Sequence, residues 1–137
     1  MRRLRLAFAL LGTIAATWAA ELPRMAPATA AKLVAEQKAV LVDVREPEEW
    51  RATGVAQPAV LLPQSDFNQG QAQWKPFLAA LGGKQVILYC HSGRRAAIIG
   101  EALASRGFNV ANAGGFKEWT SAGLPVRRIA PAASPKK

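Results

Sequence analysis

The sequence predicts an α/β domain: a mainly parallel sheet of about five strands with helices on both faces. Three observations carry this. Short apolar runs rich in β-branched residues alternate with stretches of helical periodicity along the chain. One run, Val86-Ile87-Leu88-Tyr89, is apolar throughout, as a strand buried on both faces must be. Glycine or proline stands at nearly every change of period. The length of 137 residues suits one domain, and with 50% hydrophobic and 20% charged residues the chain has the composition of an ordinary globular core.

Residues 1–19 read as a leader rather than as part of the fold. Arg2, Arg3 and Arg5 form a basic start, Leu6 to Ala16 is apolar and uncharged, and Thr17-Trp18-Ala19-Ala20 offers small residues at cleavage spacing before Glu21. That is the layout of a secretory signal peptide, cut after Ala19 or Ala20. The apolar run is short of the roughly 20 residues that a membrane-spanning helix needs, so no stable span is expected after processing. The expected location is the periplasm or the exterior.

Residues 20–28 then read as a linker rich in Pro and Ala, and residues 29–126 as the domain. Thr29 is placed to cap a helix through Lys32 to Glu36. Val40 to Val44 predicts a strand. Pro47 opens a short helix containing Glu48, Glu49 and Trp50, which Gly54 ends. Ala59 to Leu62 predicts a second strand, closed by Pro63, and Asp66 to Gly70 a loop. Trp74, Phe77, Leu78 and Leu81 fall at helical spacing, with Gly82-Gly83 as the stop. The buried strand Val86–Tyr89 comes next. Ala96 to Leu103 forms an amphipathic helix ending near Gly107. Phe108 to Ala111 is the last strand, Gly114-Gly115 a turn, and Phe116 to Ala122 a short helix. Residues 127–137, rich in Pro, Ala, Ser and Lys, read as a disordered tail.

The formal charge is +9. Arg2, Arg3 and Arg5 account for three of those charges, and Arg127, Arg128, Lys136 and Lys137 sit in the tail, so the domain is only mildly basic. It lacks the basic stripe with interleaved aromatics that nucleic-acid binding requires. A mild positive field suits a small anionic substrate.

The chain has one cysteine, Cys90, and one histidine, His91. A single cysteine cannot form an internal disulfide, and in an exported chain an unpaired thiol implies a use. One Cys and one His supply no metal set, and no cofactor is implied. Cys90-His91-Ser92-Gly93-Arg94-Arg95 lies between the buried strand and the amphipathic helix, at the strand end where open α/β sheets bind ligands. The loop can aim several backbone N–H groups at one point, a helix N-terminus stands behind them, Gly93 allows the tight turn, and Arg94 and Arg95 add positive charge. Such surroundings suit a thiolate, an anionic persulfide, and an oxyanion donor such as thiosulfate. One site can then run both halves of a ping-pong transfer.

The run Cys90 to Ala96 resembles the active-site loop of rhodanese-like sulfurtransferases. Leu41-Val42-Asp43-Val44-Arg45-Glu46-Pro47-Glu48-Glu49-Trp50 is similar to the family's first strand and turn, and Gly107 to Trp119, continued by Gly123-Leu124-Pro125-Val126, to its closing segment. The likeness spans about residues 27–126. It implies a rhodanese fold, Cys90 as the sulfur carrier, and transfer from thiosulfate or a similar donor to cyanide or a thiol. A protein donor or acceptor fits the same scheme. The segment Gly54-Val55-Ala56-Gln57-Pro58-Ala59 departs from the family pattern, in which a histidine often comes after the glycine.

Cysteine phosphatases that share this architecture need Cys-x5-Arg, which would put arginine at position 96. That position is Ala96, and the arginines come earlier. His91, Ser92, Gly93, Arg94 and Arg95 are therefore the candidate substrate-binding residues, His91 at the rim rather than as a base. Asp43 and Arg45 are candidate rim residues, with a loop-holding role for Asp43. Alternatively, Arg94 or Arg95 pairs with Glu101 or Asp43. Trp50, Trp74, Phe77, Phe116 and Trp119 read as core, and Glu46, Glu48 and Glu49 as a solvated helix start. Two other functions compete: a persulfide carrier fed by a partner, and a non-catalytic module binding an anion or a partner. The protein expressed with its leader is expected to be recovered outside the cytosol, with a mass that begins at Ala20 or Glu21. A cytosolic protein with Met1 in place would contradict the export reading.

Overall fold

A computed structural model describes residues 22–130. The expected leader at 1–19 and residues 131–137 of the expected tail lie outside the described residues. The elements in chain order are α1 (Pro27–Ala35), β1 (Ala39–Asp43), α2 (Pro47–Thr53), β2 (Val55–Ala56), β3 (Val60–Leu61), α3 (Gln64–Asn68), α4 (Trp74–Ala79), β4 (Gln85–Cys90), α5 (Arg94–Ser105), β5 (Val110–Gly115), α6 (Phe116–Ser121) and β6 (Val126–Arg127).

β3, β1, β4 and β5 form one sheet in that order, every neighbouring pair parallel. The strands' two-residue period sorts the core into two layers. Val42, Val44, Val86, Leu88, Cys90 and Val110 face one way, with Trp74 and Leu78 of α4 and Ile99 and Leu103 of α5. Leu41, Ile87, Tyr89, Ala111 and Ala113 face the other way, with Ala30 of α1 and Trp119 of α6. Trp74 organises the first layer. Its ring meets Phe67 and Phe77 edge-on, and its Nε1 donates to Pro63 O at 3.1 Å.

The ends of the domain differ from the sequence expectation. α1 starts at Pro27, which suits a first turn, so Thr29 lies inside the helix instead of capping it. Residues 22–26 are not a free linker. Leu22 is buried, and Arg24 forms a parallel bridge with Asn112 on the outer edge of β5, a one-bridge counterpart of the expected fifth strand. The tail begins later than position 127, because Val126 and Arg127 pair antiparallel with Ala56 and Val55, and Arg127 donates to Ala59 O at 2.7 Å. That small ribbon occupies the segment that departs from the family pattern. Gln64–Asn68 is a short helix rather than a loop. Asp66 steadies its exit by accepting from Gln73 N and Trp74 N. β5 runs through Gly114-Gly115, where the sequence predicts a turn.

Asp43 and Arg45, expected at the site rim, are instead a buried ion pair at the end of β1. Arg45 Nη2 reaches Asp43 Oδ2 at 2.7 Å and Nε reaches Oδ1 at 3.0 Å, while the Arg45 backbone N–H also donates to Oδ1. Two further guanidinium N–H groups go to Thr53 Oγ1 and Gly54 O at the end of α2, and the Phe116 ring lies against the cation, 4.4 Å from Cζ to the centroid. Burial alone would lower the Arg45 pKa, but the hydrogen bonds and charge of Asp43 reverse this and leave it raised. On the same face, burial raises the Tyr89 pKa, Asp43 adding to the effect, while Tyr89 Oη accepts from Ala56 N at 3.0 Å. Asp43 therefore does hold the backbone, as the sequence suggests, through a cation that belongs to the interior. Asp43→Ala strands that cation without a partner and is expected to cost about 3–5 kcal/mol. Urea unfolding measures it, and a loss under about 1 kcal/mol, the range of exposed pairs, would contradict the assignment.

Candidate functional site

Cys90 is the last residue of β4, an interior strand, and its side chain lies on the α5 face of the sheet. His91, Ser92 and Gly93 turn the chain into α5. Gly93 takes φ +93° and ψ −9°, a left-handed conformation that a side chain rarely adopts. In that conformation its N–H donates to Cys90 Sγ at 3.0 Å. α5 begins at once, twelve residues long, with unsatisfied first-turn N–H groups and the positive end of its dipole at the turn. Of the donors expected in this turn, the Gly93 N–H is the one that reaches the sulfur.

The turn is shaped by β5. Leu88 aligns with Asn112 but Cys90 with Gly115, so β5 carries an extra residue there. Asn112, buried, donates from Nδ2 to Gly93 O at 2.9 Å and accepts from Gly114 N at 2.8 Å. A Cβ on Gly115 would collide with His91 O, and one on Gly93 would stand 3.2 Å from Gly114 Cα. Asn112, Gly114 and Gly115 are therefore part of the site, although sequence reasoning assigns them no role. The available signal is a polar residue and two glycines where a strand meets a helix.

His91 and Ser92 are both exposed in the turn, and Arg94 is exposed at the start of α5. Arg95 is committed elsewhere. Its Nη1 and Nη2 each reach a Glu49 carboxylate oxygen at 2.7 Å, fastening α5 to α2. Glu49, expected to be solvated, also accepts from Glu46 N at 3.0 Å, and Glu46 binds Ser65. The Arg95 hydrogen bonds pull the Glu49 pKa down from its ordinary 4.5 to about 2. The Glu49 hydrogen bonds raise the Arg95 pKa, with a smaller contribution from the charge of Cys90. Asp43 and Arg45 are buried, with the Arg45 cation against Tyr89 and Phe116 of the other core layer rather than on a rim. Cys90 has no exposed surface, so a donor reaches its sulfur only when the turn or the side chain gives way.

A family model described as the rhodanese-like domain matches residues 26–122. A candidate mitochondrial thiosulfate sulfurtransferase of Schizosaccharomyces pombe is 29% identical over 97 residues, covering 62% of this chain and 66% of that protein. The polysulfide-sulfur transferase homodimer of Wolinella succinogenes superposes with a TM-score of 0.63 at 28% identity, covering 85% of this chain and 86% of that one. A Rhodopseudomonas palustris protein of unknown function, described as a possible tyrosine phosphatase, gives 0.65 at 25% identity, covering 77% and 85%. The chain spans 54% and 66% of the length of two curated relatives that it matches.

Because the Glu49 pKa is depressed in the folded protein, the stability it contributes is present above the unfolded value and lost as pH falls from about 4.5 towards about 2. Glu49→Gln is expected to flatten that part of the stability–pH curve, measured by urea unfolding between pH 2 and pH 6 (limits set by the linkage window). Parallel curves for both proteins would contradict the Arg95 contact.

Proposed function

The chain belongs to the rhodanese-like family, and on that premise we propose that it is an exported sulfurtransferase that carries sulfane sulfur as a persulfide on Cys90. The observation that carries the reading is the Gly93 N–H donating to Cys90 Sγ at the start of α5. Family membership and the similarity to a candidate thiosulfate sulfurtransferase support it. The leader-like residues 1–19 support export.

Thiosulfate is the first donor to test. The Cys90 thiolate attacks its outer sulfur, the sulfur–sulfur bond of the donor breaks, and sulfite leaves with the bonding pair. The new persulfide keeps the single negative charge of the thiolate. Its outer sulfur extends towards the Gly93 N–H and the unsatisfied first-turn N–H groups of α5, which stabilise an anion without protonating it. A nucleophile such as cyanide or a thiol then takes that sulfur and returns Cys90 to its starting state. Arg94, exposed and beside the turn, adds positive charge for an anionic donor, while Arg95 holds the turn's helix in place through Glu49.

The spacing of arginine decides against phosphoryl chemistry. The cysteine phosphatase loop places its arginine where this chain has Ala96, which is buried. The Wolinella relative's description makes polysulfide the second donor to test.

Intact mass before and after thiosulfate tests the proposal. One added sulfur, removed by cyanide and absent from Cys90→Ser, is expected. No gain in a folded protein with reduced Cys90 rejects thiosulfate as the donor. No gain from polysulfide either rejects the sulfurtransferase reading.

A further inference from the structure

The short segment ahead of α1 touches four parts of the molecule. Leu22 packs on α5, where a Cβ on Gly100 would collide with it. Asn112 N donates to Pro23 O, and Met25 N donates to Asn112 O, both at 2.9 Å, so the segment is pinned along β5. Arg24 Nη2 donates to Glu118 of α6 at 3.2 and 3.4 Å. Arg24 Nη1 lies over Gly93, 2.7 Å from where a Cβ on that residue would stand. Asn112, the residue that pins the segment, also holds Gly93 O through its side chain.

These contacts converge on the residue whose N–H meets the sulfur. Glycine is free to visit both signs of φ. Something must therefore restrict Gly93 to the left-handed conformation that aims its N–H at Cys90 Sγ. Asn112 fixes its carbonyl, Gly114 closes one side, and the Arg24 guanidinium closes another.

We propose that Arg24 is a positioning residue for the Cys90 turn, its guanidinium held by Glu118 so that it covers Gly93 and keeps the Gly93 N–H on the sulfur. It acts through Gly93 and not on the sulfur itself. Its consequence for sulfur transfer rests on the function proposed above. The Arg24–Glu118 pair is exposed, with 56% and 48% of the two side chains accessible, so as an ion pair it adds little to global stability. The effect of removing it is local.

The test is Arg24→Ala in the full chain, with hydrogen exchange of the Gly93 amide and the rate of persulfide formation over a range of thiosulfate concentrations as readouts. Gly93 exchange is expected to speed up about tenfold while core amides stay unchanged, the pattern of a local opening. Persulfide formation at saturating thiosulfate is expected to slow about tenfold to a hundredfold, with little change in the half-saturating concentration, as for a misplaced reacting group. Unchanged Gly93 exchange in a folded variant overturns the proposal. A change confined to the half-saturating concentration also overturns it, because Arg24 would then meet the donor rather than position the turn. If the wild-type protein forms no persulfide, the proposed function fails, and Gly93 exchange still decides the role of Arg24. Should Arg24→Ala not fold, Arg24→Lys carries the same test, since an ammonium reaches Glu118 but presents no plane over Gly93.

Discussion

Three residues, His91 to Gly93, must turn the chain from an interior strand of the sheet into the first turn of α5, and the surroundings of Cys90 depend on that shortness. A turn so tight needs a left-handed residue, and Gly93 supplies it. The same geometry delivers one N–H to the sulfur and sets the helix N-terminus beside it. The neighbours are cut to fit. β5 gains an extra residue, Gly115 makes room for the His91 carbonyl, and Asn112 uses both ends of its amide on Gly93 and Gly114. Ala96 faces the core.

Two ion pairs brace the domain, and they differ in kind. Asp43–Arg45 is buried, its two charges paired by forked hydrogen bonds, and it locks β1 to the end of α2 with Phe116 against the cation. Breaking such a pair is costly because the survivor has no water to turn to. Glu49–Arg95 is only partly buried, with 33% and 27% of the side chains accessible, and it joins α2 to the start of α5. Its value lies in orientation: it keeps the helix that starts at the sulfur in register with the rest of the site. Arginine suits both places because its planar fork meets a carboxylate at two points.

Much of this is legible in the chain itself. Periodicity finds the four parallel strands, because burial on two faces or one leaves a pattern in the apolar residues, and the Cys90 loop stands out by position and composition. Partners are not legible in the same way. Arg45 and Asp43 look like rim residues because they end a parallel strand on the ligand side, and only the fold shows that they pair with each other in the interior. Glu49 and Arg95 are 46 positions apart, a distance across which periodicity carries no information. Asn112 and Arg24 are brought together by backbone pairing, which composition does not record. Leu22 to Met25 read as linker because Pro and Ala dominate the stretch from Pro23 to Ala28, yet they form the outer edge of the sheet. Arg127 reads as tail because Pro, Ala, Ser and Lys dominate the residues after it, and only its pairing with Val55 places it in β6.

The most direct test is the crystal structure of the protein treated with thiosulfate. The account predicts a second sulfur bonded to Cys90 Sγ, enclosed by the turn, with Gly93 still left-handed and its N–H and those of the α5 first turn directed at the added atom. An unmodified Cys90 in crystals of protein exposed to excess donor, with the turn unchanged and any bound anion lying elsewhere, would contradict it.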